Sequence, residues 1–204
     1  ILGNVSEAIS LLHRARKLCT EHSDFENGFS AHSMLFNMYV RLDKVGEARA
    51  MLVGVQLLLD KETASERAGP GMDDFVRAKR VFLKSNQARL DAKLALKSED
   101  PDALQRVKAL LEESIAEMTD MQGNQFRGST DRNMAELLCL LCKVAWGCGD
   151  TKGVRHALER ELPLRRTRAQ EGEAVVTLAN LGRVCLELAD LDAAERHLSE
   201  AELT

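Results

Sequence analysis

Residues Leu178 to Ala201 read LANLGRVCLELADLDAAERHLSEA. Leu178, Leu181, Gly182 and Cys185 recur at steps of three and four, which puts them on one face of a helix. Ala189-Asp190 interrupts the pattern. Ala194, Leu198 and Ala201 then line one face of a second helix. Gly182 and Ala194 are small where the two helices would cross, and a bulky residue there would push the backbones apart.

The same arrangement recurs towards the N-terminus. A first helix over 29–42 carries Leu35, Phe36, Tyr39 and Leu42 on its packing side; Asp43-Lys44 is the turn; a second helix over 45–59 faces Ala48, Leu52 and Val55 inward. Met134 to Cys148, the turn Gly149-Asp150 and Lys152 to Leu162 form another copy, with Pro163 expected to stop its second helix. Gly3-Asn4-Val5-Ser6-Glu7-Ala8, followed by Leu12 and Ala15, reads as a turn and second helix whose partner would lie before Ile1. Ala8, Ala48, Val154 and Ala194 share one position in this pattern, and the steps from Ala8 to Ala48 and from Val154 to Ala194 are both 40 residues.

These residues resemble the tetratricopeptide (TPR) repeat, here in a long-period variant, since the minimal repeat is ~34 residues. The resemblance is closest at Leu35–Val55 and Leu178–Ala201 and weakest at Asp73–Met121, which lacks the Leu-Gly pair. It implies an all-α fold, a right-handed α-solenoid of antiparallel helix hairpins with about nine helices. The expected organisation is one array over 1–204 that belongs to a longer solenoid: the second helix of a truncated repeat at 1–22, repeats at 25–60, 133–162 and 170–203, and a divergent repeat at 73–121. Two loops separate them. Glu62–Met72 contains Gly69-Pro70-Gly71, which cannot continue a helix, and Gly123–Asn133 ends in a capping sequence. Ser23-Asp24, Asp73 or Asp74 are candidate N-caps, and Pro101 suits a first helical turn.

Composition agrees. Ala, Leu, Glu, Arg and Lys dominate, aromatics are 4% and prolines number 3, with no run of alternating β-branched residues. A net charge of −4, with 28 basic residues spread among 32 acidic ones, argues against general nucleic-acid or membrane binding. No apolar run approaches the ~20 residues of a membrane span. The five cysteines, an odd number set in apolar helical pattern, read as reduced thiols, which predicts an intracellular (cytoplasmic or nuclear) setting.

The chemistry-bearing residues support no reaction. Cys139-x-x-Cys142 with Cys148 invites a zinc site, but the pair lies within LLCLLCKVAW, an apolar helix in which cysteine acts as a small buried hydrophobe. His13, Cys19 and His22 do not share a narrow helix face. No serine stands in a glycine elbow, and Gly69-Pro70-Gly71 lacks the Lys-Ser/Thr of a phosphate loop. The chain therefore reads as a non-enzyme with no cofactor and no metal. Arg160–Arg168 reads as a connection with solvated charges or, failing that, a docking point for an acidic partner.

The resemblance also implies where a partner binds. In the family, outward positions on the first helices line a concave face; carried over from the turns they are Ser33, Asn37, Val40 and Arg41, then Glu136, Cys139, Lys143 and Trp146, then Ala179, Asn180, Arg183 and Glu187. Ser33 stands where the family's chaperone-binding form has its first clamp lysine, so a carboxylate clamp is not expected. Lys143 and Arg183 make the groove mildly basic, which fits an acidic peptide or helix from a protein partner in a multiprotein complex. Trp146, the single tryptophan, is either an anchor for that partner or part of the core. The expected function is a protein-interaction scaffold that binds on its concave face. Two alternatives are a structural subunit contacting neighbours through its convex face or edges, and an effector-sensing regulatory domain of a longer protein.

Overall fold

A computed structural model describes residues 2–64, 72–121, 127–166 and 171–203. Among them the chain is all-α, with nine helices and no strand: α1 (Leu2–Glu21), α2 (Phe25–Arg41), α3 (Val45–Thr63), α4 (Met72–Ser98), α5 (Pro101–Asp120), α6 (Arg127–Gly147), α7 (Thr151–Arg166), α8 (Glu171–Glu187) and α9 (Leu191–Leu203). No described helix is long and apolar enough to cross a membrane. The chain divides into two compact units, Ile1–Leu90 and Asp91–Thr204, and the boundary falls inside α4.

One turn design joins four pairs of consecutive helices. Ser23, Asp43, Gly149 and Ala189 each adopt a left-handed conformation, with φ of 53°, 61°, 70° and 58°. The next residue's N–H then reaches back to a carbonyl five residues earlier: Asp24 to Cys19, Lys44 to Tyr39, Asp150 to Ala145 and Asp190 to Cys185, each at 2.9 Å. This 6→1 bond satisfies a carbonyl left over at the helix end. Asp24, Asp150 and Asp190 also accept from backbone N–H groups of Asn27, Gly153 and Ala193, capping the following helix. Glycine suits the left-handed site best, and only Gly149 supplies it; Ala189 adopts it at a steric cost of about 1 kcal/mol.

In the first unit α1 packs on α2 and α2 on α3. Its core joins Leu35, Phe36 and Tyr39 of α2, Ala48, Met51 and Leu52 of α3 and Leu90 of α4. A second cluster holds Phe29, Val55, Leu59 and Val76, with the Phe29 ring 5.6 Å from that of Phe82 at a tilt of 53° and Lys79 Nζ 4.4 Å over the Phe29 ring. In the second unit each of α5 to α9 packs on its neighbour in sequence. Leu111, Ile115, Leu137, Leu138, Leu158, Leu178 and Leu181 are fully buried there, at about 2 kcal/mol each. Ala48, Val154 and Ala194, the shared position of the repeat pattern, are all buried, whereas Ala8 is half-buried.

Several expected boundaries are corrected. Gly3-Asn4 is not a turn but lies in the first turn of α1, where backbone N–H groups need no partner within the helix. α2 starts at Phe25, directly after the Asp24 cap, rather than at Phe29. α3 continues to Thr63. α6 begins at Arg127, so 127–133 is helix; apolar periodicity starts only at Met134 and could not register the polar turns before it. Pro163 does not end α7, which continues to Arg166. Proline forfeits one backbone bond there, while buried Leu162 and the Glu161–Arg165 pair hold the last turn in place. Pro101 does occupy a first turn, capped by Asp100. Gly69-Pro70-Gly71, Gly123 and Thr167-Arg168 lie outside the described residues.

Candidate functional site

Three helix faces of the second unit converge on a groove of about 560 Å³. α6 contributes Cys139, Cys142, Lys143 and Trp146, whose spacing of three, four and seven is one helical stripe. α8 contributes Gly172, Glu173, Val176, Thr177, Asn180 and Arg183, again a single stripe. α7 supplies Leu158, Glu161 and Arg165; Leu158 and Glu161 are buried and form the floor.

Electrostatics divide the groove. At one end Glu161, 4% exposed, accepts from Arg165 Nε at 2.9 Å, and Arg165 also donates to Glu173 of α8. Burial pushes the Glu161 carboxyl above its ordinary range, although Arg165 opposes this. This cation is internally neutralised. At the other end the Arg183 guanidinium lies 3.7 Å from the centroid of the Trp146 ring, a close cation–π stack that orients the side chain without cancelling its charge. Glu187 stands 3.8 Å from Arg183 Nε, and both side chains are solvent-exposed, so this pair is weak. Lys143 is exposed and makes no ion pair among the described residues. Burial raises both thiols, and Cys142, beside Cys139, is pushed up to about 12. Both are protonated at neutral pH and serve as apolar lining. Among the described residues no three His, Cys, Asp or Glu side chains gather as a metal site.

Of the residues picked out by sequence, Lys143, Trp146, Asn180 and Arg183 come together here, and Glu187 flanks Arg183. Asn37, Val40 and Arg41 belong to the first unit. Asn37 accepts a 3.1 Å hydrogen bond from Arg89 of α4, Val40 packs against the core, and Arg41 is exposed. Glu173, Thr177 and the pairing of Glu161 with Arg165 were missed; sequence marks Arg165 only as one charge of the Arg160–Arg168 stretch. The available signal was the four-residue step from Glu161 to Arg165, which is indistinguishable from an ordinary surface pair. Arg160–Arg166 is correspondingly not a solvated connection: it is helix, with Arg160 donating to Thr119 of α5 at 3.4 Å, Arg165 set in the groove and Arg166 paired with Glu200 of α9.

No protein-family model matches the chain, and no curated protein does. Among solved structures it is similar to BtubC (BKLC) from P. vanneervenii. The two share 15% identity, with 97% of this chain and 89% of that chain covered at a TM-score of 0.51. At this identity the likeness concerns the fold alone.

Proposed function

We propose that the chain is a TPR-like, right-handed α-solenoid segment built from antiparallel helix hairpins, and that it acts as a non-enzymatic protein-interaction scaffold. Packing of neighbouring helices within α1–α3 and within α5–α9, and the repeated turns, support the architecture. The groove between α6 and α8 holds an acidic peptide or helical segment of a partner protein. The observation that carries this reading is Arg183 stacked on Trp146 beside unpaired Lys143, in a groove also lined by Val176, Cys139 and Cys142. A carboxylate can meet both cations while an apolar neighbour in the peptide covers Val176 and the two thiols.

Trp146 is the only tryptophan, so its emission reports the groove directly. The test titrates the whole chain with short synthetic peptides that pair one or two acidic residues with an apolar one, using amide-neutralised versions as controls. Acidic peptides are expected to perturb the emission, and Lys143→Glu with Arg183→Glu to weaken them by about tenfold or more. Equal binding of acidic and neutral peptides, or no effect of the charge reversals, would remove the groove from the proposal.

A further inference from the structure

A pocket of about 520 Å³ opens in the first unit among the end of α1, the start of α2 and α3. That volume lies within the ~300–1,000 Å³ typical of small-molecule sites. Its walls are largely apolar, formed by Cys19, Phe25, Leu57 and Leu58, and its innermost polar side chain is His32, only 6% exposed. His32 Nδ1 is 2.8 Å from the Gly28 carbonyl. A carbonyl can only accept, so Nδ1 carries the proton and Nε2 keeps a free lone pair. No described residue bonds to Nε2. Burial, with Arg16 and His13 nearby, keeps the ring neutral.

Gly54 makes this arrangement possible. A Cβ at position 54 would fall far inside van der Waals contact of Nε2, so the missing side chain is the space that the imidazole edge occupies. Nε2 is left without a partner among the described residues on this edge of the ring. Here it faces a pocket of ligand size rather than closed packing. Among the described residues no three His, Cys, Asp or Glu side chains gather here as a metal site. Asp24, Lys61 and Glu62 also line the pocket; both Asp24 carboxylate oxygens accept from Asn27, which leaves the opposite charges of Lys61 and Glu62 and favours a neutral occupant.

We propose that this pocket binds a small neutral molecule with an aromatic or aliphatic body and one O–H or N–H donor, the donor bonding to His32 Nε2. This site is independent of the groove between α6 and α8 and requires no partner protein.

A matched pair of probes tests it on the whole chain: 2-naphthol, which has the donor, and 2-methoxynaphthalene, which has the same body without it. Affinities come from calorimetry and the site from the 15N shift of His32 Nε2. The naphthol is expected to bind about tenfold tighter than the ether, the difference one hydrogen bond makes, and to move the Nε2 resonance. His32→Phe should bring the two probes to equal affinity, and Gly54→Ala, whose methyl invades the space beside Nε2, should weaken the naphthol. Circular dichroism checks that each variant folds; if His32→Phe does not, the Nε2 shift and Gly54→Ala carry the decision. Equal affinity of the two probes for the wild type, naphthol binding that leaves the Nε2 resonance unmoved, or no binding up to about millimolar concentration would overturn the proposal.

Discussion

Lys108 Nζ lies 2.5 Å from Asp150 Oδ2, while Asp150 Oδ1 accepts the Gly153 N–H at 2.9 Å. One carboxylate thus caps α7 and ties the turn before it to α5. The arrangement recurs at Asp190, which caps α9 through Ala193 and meets Arg155 of α7 at 2.9 Å. Both carboxyls are held below the usual carboxylate range, chiefly by hydrogen bonds from those cations and then by the capping N–H groups. Asp150→Ala removes cap and ion pair together and is expected to cost about 2 kcal/mol. Asp150→Asn keeps an N-cap acceptor and should cost about half of that. Urea unfolding followed by Trp146 emission measures both; equal losses would mean that the cation, not the cap, carries the effect.

The glycines of the helices divide by what faces them. A Cβ on Gly182 would collide with the Leu198 side chain of α9, whereas one on Gly46 would meet nothing within 4 Å. Alanine favours a helix over glycine by up to ~1 kcal/mol, while overpacking costs ~1–3 kcal/mol. Gly46→Ala should therefore raise stability by about 0.5 kcal/mol, the gain being reduced near a helix start. Gly182→Ala should lower it by about 1 kcal/mol. Thermal melts of the two variants decide; a stabilising Gly182→Ala would show that Leu198 yields freely.

What could be read from sequence follows from how local each cause is. The turns at Asp43, Gly149 and Ala189 were legible because apolar spacing breaks at each within a few residues, and at the last two a capping aspartate follows directly. The groove walls of α6 and α8 follow from counting back from those turns. Glu161 and Arg165 were not legible, because their burial depends on α8 and no property of the pair itself distinguishes it from a solvated one. Asn37 was read as outward-facing; its bond to Arg89 joins residues 52 apart, beyond any periodicity argument. Pro163 failed as a stop signal because tertiary packing of Leu162 and the Arg165 pairing outweigh one lost backbone bond.

Glu161 and Arg165 form a nearly buried pair, with side chains 5% and 13% exposed. Removing one member leaves the other desolvated and poorly matched. Glu161→Ala should cost about 3 kcal/mol, moderated by the remaining contact of Arg165 with Glu173. Replacing both with leucine removes the desolvation cost as well and should recover most of the loss. Chemical denaturation of the single and double variants tests this; a double variant as unstable as the single one would mean that the pair itself stabilises the groove.

The Cys142 thiol, pushed up to about 12 by burial, holds very little thiolate at pH 8. Iodoacetamide at that pH should modify it at least about a hundredfold more slowly than in the urea-unfolded chain, where the ordinary value near 8.5 returns. Peptide mass spectrometry after timed alkylation follows this cysteine individually. Rapid labelling of Cys142 in the folded chain would mean that the α6 wall of the groove opens to solvent.

His13 and His32 make the first unit sensitive to mild acid. Burial lowers both from 6.5, with Arg16 adding to the effect on each. His13 Nε2 lies 2.7 Å from the Tyr39 hydroxyl, and His32 is bonded to the Gly28 carbonyl. A folded-state value below the unfolded one means that the unfolded chain takes up protons first. The stability associated with the neutral rings is complete above about pH 6.5 and is lost as pH falls through their folded values. Amides of α2 should therefore exchange hydrogen faster at pH 5 than at pH 7, after correction for the intrinsic pH dependence of exchange. His32→Phe should flatten part of that difference, leaving the share due to His13. Unchanged protection across this range would place the folded-state values close to 6.5 and remove burial as the dominant influence on either ring.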